Sequence, residues 1–330
     1  MDSNARMWQF RDFLPVSDSE EPVTLGEGQT PLCEHHAKNL PKTLFKVEYM
    51  NPTSSFKDRS ASLMLTKARA AKAKSVVVDS SGNAAASVSA YAARAGIECD
   101  VFVPSETSPG KVKQILSYGA NFSKVEGTRQ DVLSAAVSFA KESGGYYCGF
   151  QLNPFATEAY KTVAYEIALQ SGDALPQYVI SPMGTGGLLI GCSKGFEELL
   201  KLKWIADRPR IVGVQPDGCA PIVSAISTGE KVIPVGHPET IAEGLKIGNP
   251  YKGGLAVRKI RESGGFALSV SDEEIVEAAD YLAKRCGFFV EPSGAVSAAG
   301  LFKLVREGRV SRRSRVVCLL TGSGLKQSLG

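Results

Sequence analysis

No two of the seven cysteines stand at C-x-x-C spacing. Cys33, Cys99, Cys148, Cys192, Cys219, Cys286 and Cys318 are odd in number and scattered. That argues against a disulfide framework and against a structural zinc site. It predicts buried free thiols in a reducing compartment, and no metal is expected. No apolar run approaches the ~20 residues a membrane-spanning helix needs. Residues 1–20 carry charges and no apolar stretch, so no signal peptide is expected, and the expectation is a soluble, cytoplasmic protein. Neither sign of charge dominates: 38 Lys and Arg against 34 Asp and Glu leave +4. A nucleic-acid partner is thereby disfavoured, because it demands a larger, clustered basic face. The one basic run, from Arg306 to Arg315, is expected to be a solvated helix end and loop. Repeats and low-complexity segments are absent.

What is present is ordinary globular composition, with 43% apolar and 22% charged residues. A length of 330 residues suits two α/β lobes or one large one. From Ser75 onward, short apolar strands alternate with longer helical stretches. Strands are expected at Ser75–Val78, Cys99–Val103, Ala120–Val125, Tyr178–Ser181, Arg210–Val214 and Arg315–Leu320. Helices are expected at Asn83–Ala95, Pro109–Tyr118 with Ser108 as its cap, Gln130–Glu142, Thr157–Gln170, Gly187–Lys201 and Gly294–Glu307. Ser271 to Glu274 reads as a capping box opening a helix that runs to Arg285. Alternating strands and helices imply an α/β fold of mainly parallel sheets flanked by helices, more readily two sheets than one.

Four segments at strand ends or helix starts, where open α/β sheets bind ligands, carry chemistry. In Asn51 to Arg59, Pro52 and the hydroxyl residues make a turn entering a helix. A lysine there, Lys57, has surroundings that lower an amine's pKa and make it nucleophilic, although a lysine in a turn is ordinarily a surface lysine. Ser80-Ser81-Gly82-Asn83 offers hydroxyls and backbone N–H groups to an anion; its plainer reading is a helix cap. Gly184-Thr185-Gly186-Gly187 permits close approach of a phosphate, or is only a tight turn. A dinucleotide fingerprint with Asp217 fits that stretch poorly, since no glycine stands at its last glycine position. Thr321-Gly322-Ser323-Gly324-Leu325-Lys326 follows the last strand and by itself is weak.

Taken in order, these segments resemble the fold-type II pyridoxal-phosphate enzymes, the tryptophan synthase beta-like superfamily. Within it the likeness is greatest to the threonine synthases, and it covers nearly the whole chain. Leu25 to Leu32 (LGEGQTPL) is similar to the family's L-G-E-G-x-T-P-L, and Asn51 to Arg59 to its N-P-T-G-S-F-K-D-R. The resemblance implies pyridoxal 5′-phosphate held as a Schiff base on Lys57, the catalytic residue. It also implies that Asn83 faces the cofactor's phenolic oxygen, that Gly184, Thr185, Gly186 and Gly187 surround its phosphate, and that Thr321 meets the pyridine nitrogen. Ser80, Ser81, Gly82, Asn83 and Asn153 would hold the substrate. Ile241 to Pro250 and Glu291 to Ala295 also match family patterns. The expected layout is a smaller lobe, residues 50–150, inserted in a larger one made of 1–49 and 151–330, with the cofactor between them. A homodimer is the family expectation.

The chain departs from that pattern at several points. Ser54 and Ser323 stand where the family has Gly and His. The Gly184–Gly187 loop looks more like the dehydratase and cysteine synthase branches. In Phe150 to Thr162, Gln151 and Ala156 replace a Ser and an Arg that help hold the substrate's phosphate, while Asn153 and Lys161 remain. Loss of one arginine–phosphate pair costs ~2 kcal/mol, or ~30-fold in binding, unless another cation such as Lys111 or Lys113 substitutes. The reading is a lyase of amino-acid biosynthesis acting at Cβ or Cγ of a small amino acid. Threonine formation from O-phosphohomoserine leads. Serine/threonine dehydration or β-replacement giving cysteine, cysteate or diaminopropionate are the alternatives. More remote are a nicotinamide dehydrogenase and a catalytically inactive binding module on the same fold.

Overall fold

The computed structural model describes residues 6–107, 109–172 and 174–326, apart from the side chains of residues 109–111. In chain order the first elements are β1 (Leu32–His35), β2 (Lys42–Lys46), α1 (Lys57–Ala70), β3 (Ser75–Asp79), α2 (Asn83–Ala95), β4 (Glu98–Pro104), α3 (Pro109–Ser117), β5 (Asn121–Val125), α4 (Arg129–Ser143), β6 (Tyr146–Tyr147) and α5 (Pro154–Ala159). They are followed by α6 (Lys161–Ser171), β7 (Tyr178–Pro182), α7 (Gly187–Lys201), β8 (Arg210–Pro216), α8 (Pro221–Thr228), α9 (Gly253–Glu262), β9 (Phe266–Val270), α10 (Asp272–Tyr281), α11 (Pro292–Arg306) and β10 (Arg315–Leu319). The chain divides into two compact units.

The first unit comprises Met1–Gln29, Asn51–Ala159 and Lys326–Gly330. Its four strands run in the order β5-β4-β3-β6, all parallel. The β-branched run of β3 is buried, as a strand covered on both faces requires. Alanine-rich α2 packs on the sheet and stops at Gly96, whose φ of +67° is left-handed. A reciprocal capping box between Thr128 and Asp131 opens α4. Ser108, the expected cap of α3, lies outside the described residues.

Met1–Gln29 groups with this unit, whereas the sequence reading puts residues 1–49 in the larger lobe. The reason is a buried carboxylate. Glu27 accepts from Trp8 Nε1 at 2.9 Å, Thr24 Oγ1 at 3.0 Å and Tyr91 Oη at 2.7 Å. Val23 N also donates to Thr66 Oγ1 on α1. Contacts of this kind leave no periodic trace in sequence.

The second unit comprises Thr30–Met50 and Tyr160–Leu325. Its six-stranded sheet has the order β1-β2-β10-β7-β8-β9, with β1 antiparallel to β2 and every other pair parallel. The hairpin β1–β2 and strand β9 carry weak patterning and escape the sequence reading. Helix α11 begins at Pro292, which suits a first-turn position, and its apolar face joins the core against Val212, Val214 and Val316. The capping box of Ser271 and Glu274 is formed. Two helix extents differ from expectation. Thr157–Gln170 is not one helix, since α5 ends at Ala159 and α6 starts at Lys161, where the chain passes from one unit to the other. The helix opened by Ser271 passes after Tyr281 into a π-turn, Leu282–Cys286, closed by Gly287 with φ +74°. No helix among the described residues is long and apolar enough to cross a membrane.

Candidate active site

In the first unit, Lys57 is the opening residue of α1, and no side chain caps that helix. Its ammonium lies 4.5 Å from the ring centroid of Phe56 and 4.4 Å from that of Phe150, within cation–π range. The turn before it is tightly held. Asn51 Oδ1 accepts from Gly28 N at 2.9 Å, and Ser54 N donates to Asn51 O at 2.8 Å. Ser54 has φ +65°, the left-handed region that favours glycine, which accounts for the family's glycine there. Asp58, fully buried, accepts from Thr53 N at 2.6 Å and Thr53 Oγ1 at 2.5 Å. Burial pushes its carboxyl up to about 7, against the lowering effect of those two bonds and of Lys326.

The segment Ser80–Asn83 joins β3 to α2. Ser80 Oγ accepts from Gly82 N at 3.2 Å, and space beside Gly82 is open. Asn83 Oδ1 accepts from Lys326 Nζ at 2.8 Å. At the end of β3, buried Asp79 accepts from Tyr147 Oη at 2.6 Å and from Arg129 Nη2 at 2.7 Å. Asn153 is buried, with Nδ2 donating to Tyr147 O and Oδ1 accepting from Phe155 N, so it fixes the entry to α5. Ala156 is also buried, in the apolar core of this unit, and its carbonyl accepts from Ser60 Oγ. Lys113 is exposed, and Lys111 has no described side chain.

In the second unit, four separated segments meet. Gly184 lies so close to Gly244 and Ile247 that a Cβ there would come within 3.2 Å of Gly244 O. Gly244 N donates to Ser293 Oγ at 3.0 Å. Ser293 O faces Thr321 Oγ1 at 3.5 Å, and Glu291 N donates to Gly322 O at 3.1 Å. Thus Gly184–Gly187, Glu243–Leu245, Glu291–Gly294 and Thr321–Gly324 form one cluster at strand ends. Thr321 is buried, and a contact of 3.5 Å leaves its hydroxyl able to turn to another partner. Lys161, retained from the family's substrate segment, is buried with its ammonium 3.0 Å from Glu198.

The residues fit the cofactor that the resemblance implies. Helix α7 is 15 residues long and begins directly after Gly186, which caps it with no side chain; Gly187 N donates to Thr185 Oγ1 at 3.3 Å, and the first turn of the helix is suited to an anion. Gly186 has φ +84° and lies where a Cβ would meet Ala256 Cβ at 2.9 Å, so the loop excludes any side chain there. Ser55 Oγ, two residues before Lys57, is buried with no partner among the described residues, as expected of a donor awaiting a ligand. No cluster of potential metal ligands occurs among the described residues.

The sequence reading misses Asp79, Arg129, Tyr147, Ser293 and Lys326. The first three have no motif. Ser293 and Lys326 lie inside quoted motifs, but only the fold reveals what they touch.

Comparison with known proteins agrees. The model of the pyridoxal-phosphate dependent enzyme family matches residues 23–322. Threonine synthase of Methanocaldococcus jannaschii is 42% identical over 326 residues, 97% of this chain and 80% of the relative. That of Mycobacterium tuberculosis is 42% identical over 323 residues, 96% of this chain and 87% of the relative. Among solved structures, the T.th. threonine deaminase superposes with a TM-score of 0.76 at 27% identity, covering 89% of this chain and 92% of that one. The chain therefore belongs to the pyridoxal-phosphate dependent enzymes of fold type II, in their threonine synthase branch, and its cofactor is pyridoxal 5′-phosphate.

Proposed function

We propose that this chain converts O-phosphohomoserine and water into L-threonine and phosphate. The observation that carries the reading is identity of 42% to threonine synthases over 97% of the chain, with the lysine segment and the glycine loop in place. When bound, the cofactor withdraws electrons from the substrate's carbon skeleton and so eases proton removal beside the amino group.

The chain's own residues do the rest. Lys57 would hold the cofactor covalently, and its amine would take and return protons at the substrate's Cα. Gly184, Thr185, Gly186 and Gly187, with the start of α7, bind the cofactor's phosphate. Thr321 offers the pyridine nitrogen a neutral hydroxyl. A neutral partner leaves that nitrogen largely unprotonated, which favours elimination and replacement over transamination. Ser80, Ser81, Gly82 and Asn83 receive the substrate's carboxylate at the start of α2, with Asn83 also meeting the cofactor's phenolic oxygen. Asn153 shapes the edge of the substrate site by holding residues 150–156. A cytoplasmic homodimer completes the proposal, and light scattering on the purified protein tests the oligomeric state.

The test is phosphate release from O-phosphohomoserine by the purified protein, with threonine quantified alongside. Equal amounts of both are expected. Burial of Ala156 favours a second reading, dehydration of serine or threonine, because no cation stands at that position. Keto acid from threonine, with no phosphate released from O-phosphohomoserine, would replace the first reading with the second.

A further inference from the structure

Lys326, in the single turn Gly324–Lys326, clusters with the first unit. Its Nζ stands 2.8 Å from Asn83 Oδ1. An ammonium can only donate. The contact therefore decides which end of the Asn83 amide is oxygen, a choice that geometry alone leaves open for a carboxamide. With Oδ1 turned to Lys326, the NH2 group points the other way. It is polarised by a neighbouring cation, which makes it a stronger donor. Asn83 is the first residue of α2, so its backbone is fixed by 13 residues of helix and only the side-chain torsions are left to set. The Lys326 charge also acts on Asp58, in the segment that carries Lys57, where it favours the carboxylate against the effect of burial.

We propose that Lys326 is a positioning residue: it locks the Asn83 amide with its NH2 group presented to the cofactor's phenolic oxygen. This rests on the reading of Asn83 given above. Without Lys326 the amide can turn over and present Oδ1, an acceptor, to an anionic oxygen. The bound cofactor would then be held less tightly, and its visible absorption, which follows the charge on that oxygen, would shift.

The experiment titrates pyridoxal 5′-phosphate into the apoprotein of the wild type, Lys326→Met, Asn83→Ala and the double variant, recording affinity and the visible spectrum. The thermal midpoint of each apoprotein is read as a check on folding. Lys326→Met should bind the cofactor about tenfold more weakly, the loss expected for one charge-assisted hydrogen bond, with a displaced visible band. In the Asn83→Ala background it should cause no further loss, because its effect passes through Asn83. Lys326→Gln, which can still donate, should recover most of the affinity; it also serves as the test if Lys326→Met does not fold. A Lys326→Met protein with wild-type affinity and spectrum would overturn the proposal, as would losses that add in the double variant. If Asn83→Ala leaves affinity and spectrum unchanged, the reading of Asn83 fails and the proposal with it. If the wild type develops no visible band, the cofactor reading itself fails.

Discussion

Arg129 is hooked onto Asp79, the residue that ends β3 directly before Ser80–Asn83. Its Nη2 donates to the carboxylate at 2.7 Å and also to the backbone carbonyl of the same residue. Tyr147 closes the other side of that carboxylate at 2.6 Å, and burial, with the nearby carboxylate, raises the phenol's pKa. One cation thus holds both the charge and the chain direction at the entry to the Ser80–Asn83 turn. Removing it leaves a buried carboxylate with one donor fewer. Arg129→Met should cost about 1–3 kcal/mol in urea unfolding, less than for a fully buried pair because the Arg129 side chain is 39% exposed. The substrate KM should rise several-fold with kcat less affected. Adding Asp79→Asn should restore much of the stability, and a double variant no more stable than Arg129→Met would refute the charge argument.

The left-handed Ser54 carries strain that glycine relieves. Ser54→Gly should stabilise the protein by about 0.5–1 kcal/mol, visible as a thermal midpoint higher by about 1–3 °C. A branched residue, as in Ser54→Val, should lower it.

The Gly184–Gly187 loop has the opposite sensitivity. Gly186→Ala places a methyl at φ +84° and 2.9 Å from Ala256. It should weaken cofactor binding by at least about tenfold while the apoprotein keeps its far-ultraviolet circular dichroism. Unchanged affinity would mean that the loop does not set the phosphate site.

Asp58 makes stability depend on pH. Its carboxyl is raised from 3.8 to about 7 in the folded chain, chiefly by burial. The folded state therefore holds the proton more tightly, and this contribution to stability is full below pH ~4 and is lost as pH rises to ~7. Asp58→Asn should flatten this part of the profile, measured by denaturant unfolding of the apoprotein from pH ~4 to ~8. A variant that loses stability over that range as steeply as the wild type would place the dependence elsewhere.

Lys57→Ala should abolish turnover, by more than about 10³-fold, and remove the visible absorption of the bound cofactor, with circular dichroism unchanged. An active variant would sink the catalytic assignment.

Local sequence settled the features that depend on neighbours a few residues apart. Apolar β-branched runs became β3, β7, β8 and β10, and Asn83–Ala95 and Gly187–Lys201 are helices with the bounds the sequence indicates. The capping box at Ser271 formed because its two partners are three residues apart. The lysine segment, the Ser80–Asn83 turn and the Gly184–Gly187 loop were legible for the same reason: each is one contiguous strand-end or helix-start motif. Long-range packing supplied the rest. That residues 6–29 pack beside α1 and α2 follows from Glu27 reaching Tyr91 at 64 residues' separation. That Ala156 is buried, that Lys161 faces Glu198 and that Asn83 meets Lys326 across 243 positions are choices of packing. A buried polar group must find its partner wherever the fold brings one, and local pattern holds no record of which partner that will be.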